Sequence, residues 1–238
     1  VRIRDNNLNC VNGVTVQDMG YKIGLNGVDN ARLWFDHVRV PRHALLDAFS
    51  QVDKQGHFTS SIKSKRARFI KMADQLLSGR LCIAAMTLSS AKSSIFNAIK
   101  YSQTRCGVGN DGTSSAALLT YQFQQLALIP LLAKTIALNI GLNKIKDQYA
   151  ETQVGSTVTQ TTPSSLIKTC CVIKPIIAWH AENVASVCRE RCGGQGYLAC
   201  NRFGEALASA HAAITAEGDN GVLMQKVAKE LLTDVKPI

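Results

Sequence analysis

The residues of this chain best suited to chemistry stand near its end. Glu217 is followed by the turn formers Gly218, Asp219, Asn220 and Gly221. A segment then begins in which Leu223, Met224, Val227, Ala228 and Leu231 recur at the spacing of one helical face. Asp219 or Asn220 suits the N-cap of that helix, because either side chain accepts a bond from a first-turn amide. Glu217 is therefore held by backbone just ahead of a helix start, where an ionised carboxylate accepts protons or hydrogen bonds. The plainer account of Glu217 is an acid favoured there by the helix dipole. Upstream, Gly193, Gly194 and Gly196 surround Gln195. Such a cluster lets backbone approach a ligand closely, or simply ends a helix. Together they frame one block, residues 192–220.

The elements that must position this block follow from periodicity. Residues 2–52 carry strand and turn signals: alternation after the Asn12–Gly13 turn, then an extended run from Leu33 to Val40 ended by Pro41. Residues 42–74 are polar and basic and read as a connection with short helical pieces. From residue 75 the pattern is helical. The spacing predicts helices over 75–104, over about 116–150 with Pro130 inside, and over 166–191 with Pro175 inside; the helix after Asp219 is the fourth. A polar stretch over 155–165 reads as a loop. The expected fold is mainly α, a four-helix bundle preceded by the end of an antiparallel β-domain. The expected divisions are 1–52 for the β part, 53–74 for the connecting segment and 75–238 for the bundle.

Composition narrows the function classes. The chain has 238 residues, 46% hydrophobic and 18% charged, within the range of folded globular proteins. No run approaches the roughly 18 uninterrupted apolar residues of a membrane span, so none is expected. A net charge of +10 calls for an anionic partner. The densest basic cluster, Lys63, Lys65, Arg66, Arg68 and Lys71, lacks aromatic interleaving, so a solvated segment is expected there and no nucleic acid. A coenzyme with several phosphates satisfies the same charge. The 8 cysteines include no CxxC pair, and a zinc site from Cys188, Cys192, His180 and His211 is not expected. Reduced, mostly buried thiols are. The opening VRIRDNN and the close at KPI read as cuts from a longer chain.

Four blocks carry a resemblance to acyl-CoA oxidases, flavoproteins that share the acyl-CoA dehydrogenase architecture. They are GYKIGLNGVDNARLWFDHVRVPR (20–42), LLSGRLCIAA leading to YSQTRCGVG (76–109), YQFQQLALIPLLAK (121–134), and CRERCGGQGYL through EGDNGVLMQKVAKELL (188–232). They appear in the family's order and span nearly the whole chain. GLNGVDN and the GGQG…EGDN pair favour the oxidase branch.

The resemblance implies roles. Glu217 matches the base that removes the α-proton of a bound acyl-CoA thioester while the β-hydrogen leaves as hydride to FAD, with O₂ then reduced to hydrogen peroxide and trans-2-enoyl-CoA released. Arg105 matches an arginine that reaches the flavin pyrophosphate of the neighbouring subunit, where a guanidinium fork suits phosphate oxygens. Without the resemblance it reads as a surface arginine at a helix end. Gln125 matches a cofactor-contacting glutamine. Gly193, Gly194, Gln195 and Gly196 match the loop holding the adenosine side across a dimer interface, and Asp219 and Asn220 follow the base where the family contacts cofactor. Arg80 matches an arginine lining the active site, and Gly218 is placed with it at the substrate.

The implied partners are a fatty acyl-CoA, O₂ and a second subunit, and the implied location is the peroxisome. The sequence departs from the family pattern at Cys106, Gly107 and Val108, which should loosen Arg105, and at Ala216, where an aromatic is common. Two other readings stay open: an acyl-CoA dehydrogenase passing electrons to another flavoprotein, and a non-catalytic helical interaction module.

Overall fold

The computed structural model describes residues 1–73, 76–153 and 163–235, and the chain divides into two units, Val1–Ala73 and Asp74–Ile238.

The first unit is built from small antiparallel pairs. β1 (Val14–Asp18) pairs with β2 (Ala31–Phe35), Val14 opposite Phe35 and Asp18 opposite Ala31. The turn before β1 needs glycine: Gly13 has φ +78°, and a Cβ there would stand 2.5 Å from the Asp36 carbonyl oxygen. The extended run expected to reach Val40 ends at Phe35, because His37 turns the chain with φ 52°. β3 (Ser50–Val52) and β4 (Phe58–Ser60) form a second hairpin in the stretch read as a connection. The sequence hid it because each strand is only 3 residues long, too short for an alternation to register. Asp53 closes this hairpin, accepting bonds from the amides of Gln55 and His57. α1 (Lys65–Ala73) carries the basic cluster, with Arg68 over the Phe58 ring.

The second unit is helical. α2 (Leu76–Thr104), α3 (Gln122–Gln153) and α4 (Ser164–Arg191) are long, and α3 and α4 run through Pro130 and Pro175 respectively. A short pairing of β5 (Cys106–Gly107) with β6 (Ala116–Ala117) links α2 to α3, where the sequence predicts helix already. Most of the loop expected over 155–165 lies outside the described residues. Gly193 then leaves α4 with φ 57°, as expected of a helix-ending glycine.

The core shows how the helices run. Ala91, Ile95 and Ala98 of α2 pack with Leu128 and Leu131 of α3 and with Ala181, Val184 and Cys188 of α4. Leu77, Leu81 and Leu88 pack with Leu142 and Ile145 and with Leu166, Cys170, Ile173 and Ile177. Thus α2 and α4 are parallel, and α3 is antiparallel to both. Apolar burial of this kind contributes about 1.5–3 kcal/mol per large side chain.

The fourth position of the bundle holds two helices, not one. α5 (Phe203–Thr215) was read as part of a connecting block, and α6 (Asn220–Asp234) follows it. Phe203 packs near Cys188 and Cys192, whereas Leu223 and Val227 pack on Cys171. Lys168 pairs with Asp234 at the far end. α5 and α6 therefore lie end to end down α4, and the break between them holds Glu217. α5 is only 13 residues long and follows closely on the glycine cluster, so it does not stand out as an element of its own in the sequence.

Candidate functional site

The break is a strained turn held from several sides. Ala216 ends α5, its amide bonded to the Ala212 carbonyl at 2.9 Å. Glu217 adopts φ 55° and Gly218 φ 107°, and a non-glycine residue in the left-handed region persists only where its surroundings impose it. Asp219 is the N-cap of α6, its Oδ1 accepting from the Val222 amide at 3.1 Å. Arg80 of α2 donates through Nε to the Glu217 carbonyl at 3.2 Å, and its Nη1 lies 3.3 Å from Cys171 Sγ. Lys174 of α4 donates to the Gly218 carbonyl at 2.7 Å. Two cations from two helices thus hold the backbone on which the carboxylate stands.

The carboxylate itself lies against α2. A Cβ built on Gly79 would stand 2.5 Å from Glu217 Cδ and 2.6 Å from each carboxylate oxygen. Only glycine at 79 leaves room for the acid where it sits. Glu217 is half-buried, and among the described residues no backbone carbonyl takes its amide hydrogen. The turn therefore offers a carboxylate and a free N–H from one residue.

Asn220 is 1% exposed, and its Oδ1 accepts from Lys174 at 2.8 Å. Gly218 is open to solvent, with Leu223 beside it. Sequence reasoning missed Gly79 and Lys174. Gly79 lies in a helical pattern where glycine is unfavourable, a signal that was available. Lys174 gave none, because a lone lysine in an apolar helix reads as a solvated residue.

A second site lies at the other end of α5. Arg105, Gly194 and Gln195 share a cleft of about 530 Å³ with Asn97, Tyr101, Thr104 and Asn201. It forms where α2 and α4 end, so their carbonyl ends make it negative and an anion there requires a cation. Arg105 supplies one. Its backbone is fixed on both sides, by its amide on the Tyr101 carbonyl at 2.8 Å and by the Leu118 amide on its own carbonyl at 2.8 Å. The first of these bonds closes the last turn of α2 and the second lies next to the β5–β6 pairing, so the expected loosening around Cys106, Gly107 and Val108 does not extend to the Arg105 backbone. Asn97 and Asn201 also line a neighbouring groove of about 400 Å³, which carries Ser89, Ser90, Ser93 and Ser94.

Gly193 and Gly196 are not on the cleft wall. Gly196 is buried, and a Cβ there would stand 2.0 Å from the Arg189 carbonyl oxygen, so close packing on α4 requires its glycine. Gln125 is exposed and donates to the Leu119 carbonyl at 2.9 Å, away from the cleft. Its neighbour Gln124 is buried, and joins Ser102 Oγ at 2.8 Å to the Arg191 carbonyl at 3.1 Å. That residue, which the sequence did not single out, ties the ends of α2 and α4 to the start of α3.

The cysteines are free, but the expectation of mostly buried thiols holds for only half of them: Cys170, Cys171, Cys188 and Cys192 are buried, Cys106 is half-buried, and Cys10, Cys82 and Cys200 are exposed. Burial pushes the Cys188 thiol up to about 12 and Cys170 to about 11. Among the described residues no group of three or more metal-ligating side chains gathers. α3 is long and apolar enough to cross a membrane by length and composition, but it packs Leu128, Leu131, Leu142 and Ile145 into the bundle core.

Comparison with known proteins agrees with this arrangement. Residues 74–232 match the acyl-CoA oxidase C-alpha1 domain. A protein named putative acyl-coenzyme A oxidase 3.2, peroxisomal, from Arabidopsis thaliana is 39% identical over 235 residues, covering 98% of this chain and 34% of that protein. The crystal structure of an acyl-CoA oxidase from tomato superposes with TM-score 0.84 at 30% identity, covering 100% of this chain and 38% of the other. An acyl-CoA oxidase-2 from Caenorhabditis elegans, bound with FAD, ascaroside-CoA and ATP, superposes with TM-score 0.84 at 25% identity over 98% of this chain and 35% of its own. The chain spans about a third of the length of the curated relatives it matches. With its bundle, its glycine loop and its interrupted fourth helix, this chain belongs to the acyl-CoA oxidase family.

Proposed function

We propose that this chain supplies the catalytic base and part of the cofactor site of an FAD-dependent acyl-CoA oxidase, which converts an acyl-CoA to the trans-2-enoyl-CoA and reduces O₂ to hydrogen peroxide. The observation that carries the reading is the Glu217 turn: a half-buried carboxylate over Gly79, beside an amide that takes no backbone acceptor among the described residues. The α-proton of a thioester is too weakly acidic for an unassisted carboxylate. Polarising the thioester oxygen with the Glu217 amide acidifies it, as oxyanion donors do. Glu217 then takes the proton, and an apolar acyl chain that excludes water strengthens it as a base. Arg80 and Gly218 border this position, as the substrate-side residues would.

Bound FAD would supply the acceptor for the β-hydrogen as hydride and the route for its electrons to O₂. The residues present fit its diphosphate: a guanidinium, Arg105, shares a polar cleft with the side-chain amides of Gln195, Asn97 and Asn201. Arg105, Gly194 and Gln195 would hold it, with Gly193 and Gly196 shaping the loop. Gln125 and Asp219, both exposed, stay with the cofactor side in this reading, whereas Asn220 is 1% exposed and bonded to Lys174 and so holds the turn instead. A homodimer is part of the proposal. It is supported by the exposed apolar strip of α3, Phe123, Leu126, Ile129, Ile136 and Ile140, which this chain by itself leaves uncovered. The peroxisome is the proposed location, after the names of the Arabidopsis and human relatives.

The test is the full-length protein. Its visible spectrum should show bound flavin, and acyl-CoA addition should release peroxide in proportion to enoyl-CoA. Enoyl-CoA formed only with an electron-transferring partner, without peroxide, would mark a dehydrogenase. No flavin and no turnover would mark a non-catalytic helical module.

A further inference from the structure

Lys174 sits midway along α4 and is 0% exposed. Among the described residues no carboxylate pairs with it at salt-bridge distance. Its ammonium instead donates to three neutral oxygens: the Ile214 carbonyl at 3.2 Å, the Gly218 carbonyl at 2.7 Å and Asn220 Oδ1 at 2.8 Å. An ammonium buried without a counter-ion is costly, and burial holds its pKa down to about 8, with Asp219 and Glu217 favouring the charge and Arg80 opposing it. A methionine of similar length would fill the same space without that cost.

The three acceptors share one property: they bracket residue 217. Ile214 lies on the last turn of α5, Gly218 directly follows Glu217, and Asn220 opens α6. Asn220 also sacrifices a bond to this arrangement. With its oxygen turned to Lys174, its buried Nδ2 has no partner among the described residues. Leaving a buried donor unpaired is unfavourable, and flipping the amide would set its N–H groups against an ammonium that cannot accept.

We propose that Lys174, with Asn220, is a positioning residue for the reaction: it pins both ends of the break between α5 and α6, so that Glu217 keeps its left-handed backbone and its carboxylate over Gly79. The proposal rests on the reading of Glu217 as the base. It differs from a mere strut between α4 and its neighbours, because it ties Lys174 to the rate of proton removal and not to folding alone. Arg80 holds the Glu217 carbonyl from α2, so loss of Lys174 should misplace the carboxylate without releasing the whole turn.

The experiment uses the full-length, flavin-loaded protein and the variants Lys174→Met, Asn220→Ala and Glu217→Gln. Turnover is measured with an acyl-CoA and with the same compound deuterated at the α-carbon, and Tm is measured alongside. The expected result is that Lys174→Met lowers kcat by about 10–100-fold, the scale of a misplacement near 1 Å, with KM unchanged and a larger deuterium effect on kcat. Asn220→Ala should move both in the same direction by less. A folded Lys174→Met protein with wild-type kcat and deuterium effect would overturn the proposal. If Lys174→Met does not fold, Asn220→Ala decides: a lowered kcat with an enlarged deuterium effect supports the pinning role, and wild-type values overturn it. Glu217→Gln separates the layers. If it retains turnover, the base assignment fails and this proposal with it; if it abolishes turnover while Lys174→Met does not, only the positioning role fails.

Discussion

Glu217 and Gly79 form a pair in which activity and stability pull apart. Gly79 is interior to α2, where alanine is favoured over glycine by up to about 1 kcal/mol. The atoms an added methyl would meet are the tip of the Glu217 side chain, 2.5 to 2.6 Å away, and that tip swings aside at little cost. Gly79→Ala should therefore leave Tm equal or higher while turnover of the full-length protein falls by about 100-fold, since a reacting group displaced by near 1 Å loses that much. Equal losses of Tm and turnover would show instead that Gly79 serves packing. Gly196 is the opposite case. Its Cβ would meet backbone, the Arg189 carbonyl, at 2.0 Å, so Gly196→Ala should destabilise by about 1–3 kcal/mol in chemical unfolding. The sequence singled out Gly196 and passed over Gly79, and only the structure says which contact each one protects.

At the scale of elements, the site exists because the fourth bundle position is broken. Asp219 starts α6 at the break, and Asp219→Ala should cost about 1 kcal/mol through loss of its bond to the Val222 amide, read as a lower Tm. Three long helices and the start of α6 were legible because their apolar residues repeat strongly over 28 to 32 residues in α2, α3 and α4. α5 was not, because it spans only 13 residues and Gly204 stands in its first turn, where glycine reads as loop. The Glu217 carboxylate and the Arg105–Gly194–Gln195 grouping were legible as residues through family resemblance. Lys174, Gly79 and Gln124 were not, since their roles come from neighbours more than 20 residues away in sequence that no local pattern reports. Arg105 is tested at this scale too. Arg105→Leu leaves the helix ends unopposed and should weaken flavin retention by about 10-fold or more, the scale of a charged phosphate contact, as judged by the flavin-to-protein absorbance ratio after dialysis.

For the molecule as a whole, the bundle carries a buried histidine that sets its acid limit. His180 is 2% exposed, and its Nε2 lies 2.7 Å from Thr135 Oγ1, whose hydroxyl bonds the Leu131 carbonyl. Burial, with Lys134 nearby, pushes its pKa from the ordinary 6.5 down to about 4. Between those values the unfolded chain binds a proton that the folded one refuses, so stability rises with pH across the window and is lost as pH falls from 6.5 toward 4. The contribution is on the order of 3 kcal/mol, and His180→Gln should flatten that part of the stability profile measured by urea unfolding at successive pH values. The exposed apolar strip on α3 is also a whole-molecule feature: Ile136→Lys with Ile140→Glu should turn the proposed dimer into monomer in sedimentation, and an unchanged dimer would place the subunit contact elsewhere. The central claim is that Glu217 removes the α-proton, and peroxide release by full-length Glu217→Gln tests it most directly. With flavin still bound, turnover should fall by about 10²–10⁴-fold or more; turnover near that of the unaltered protein would contradict the account.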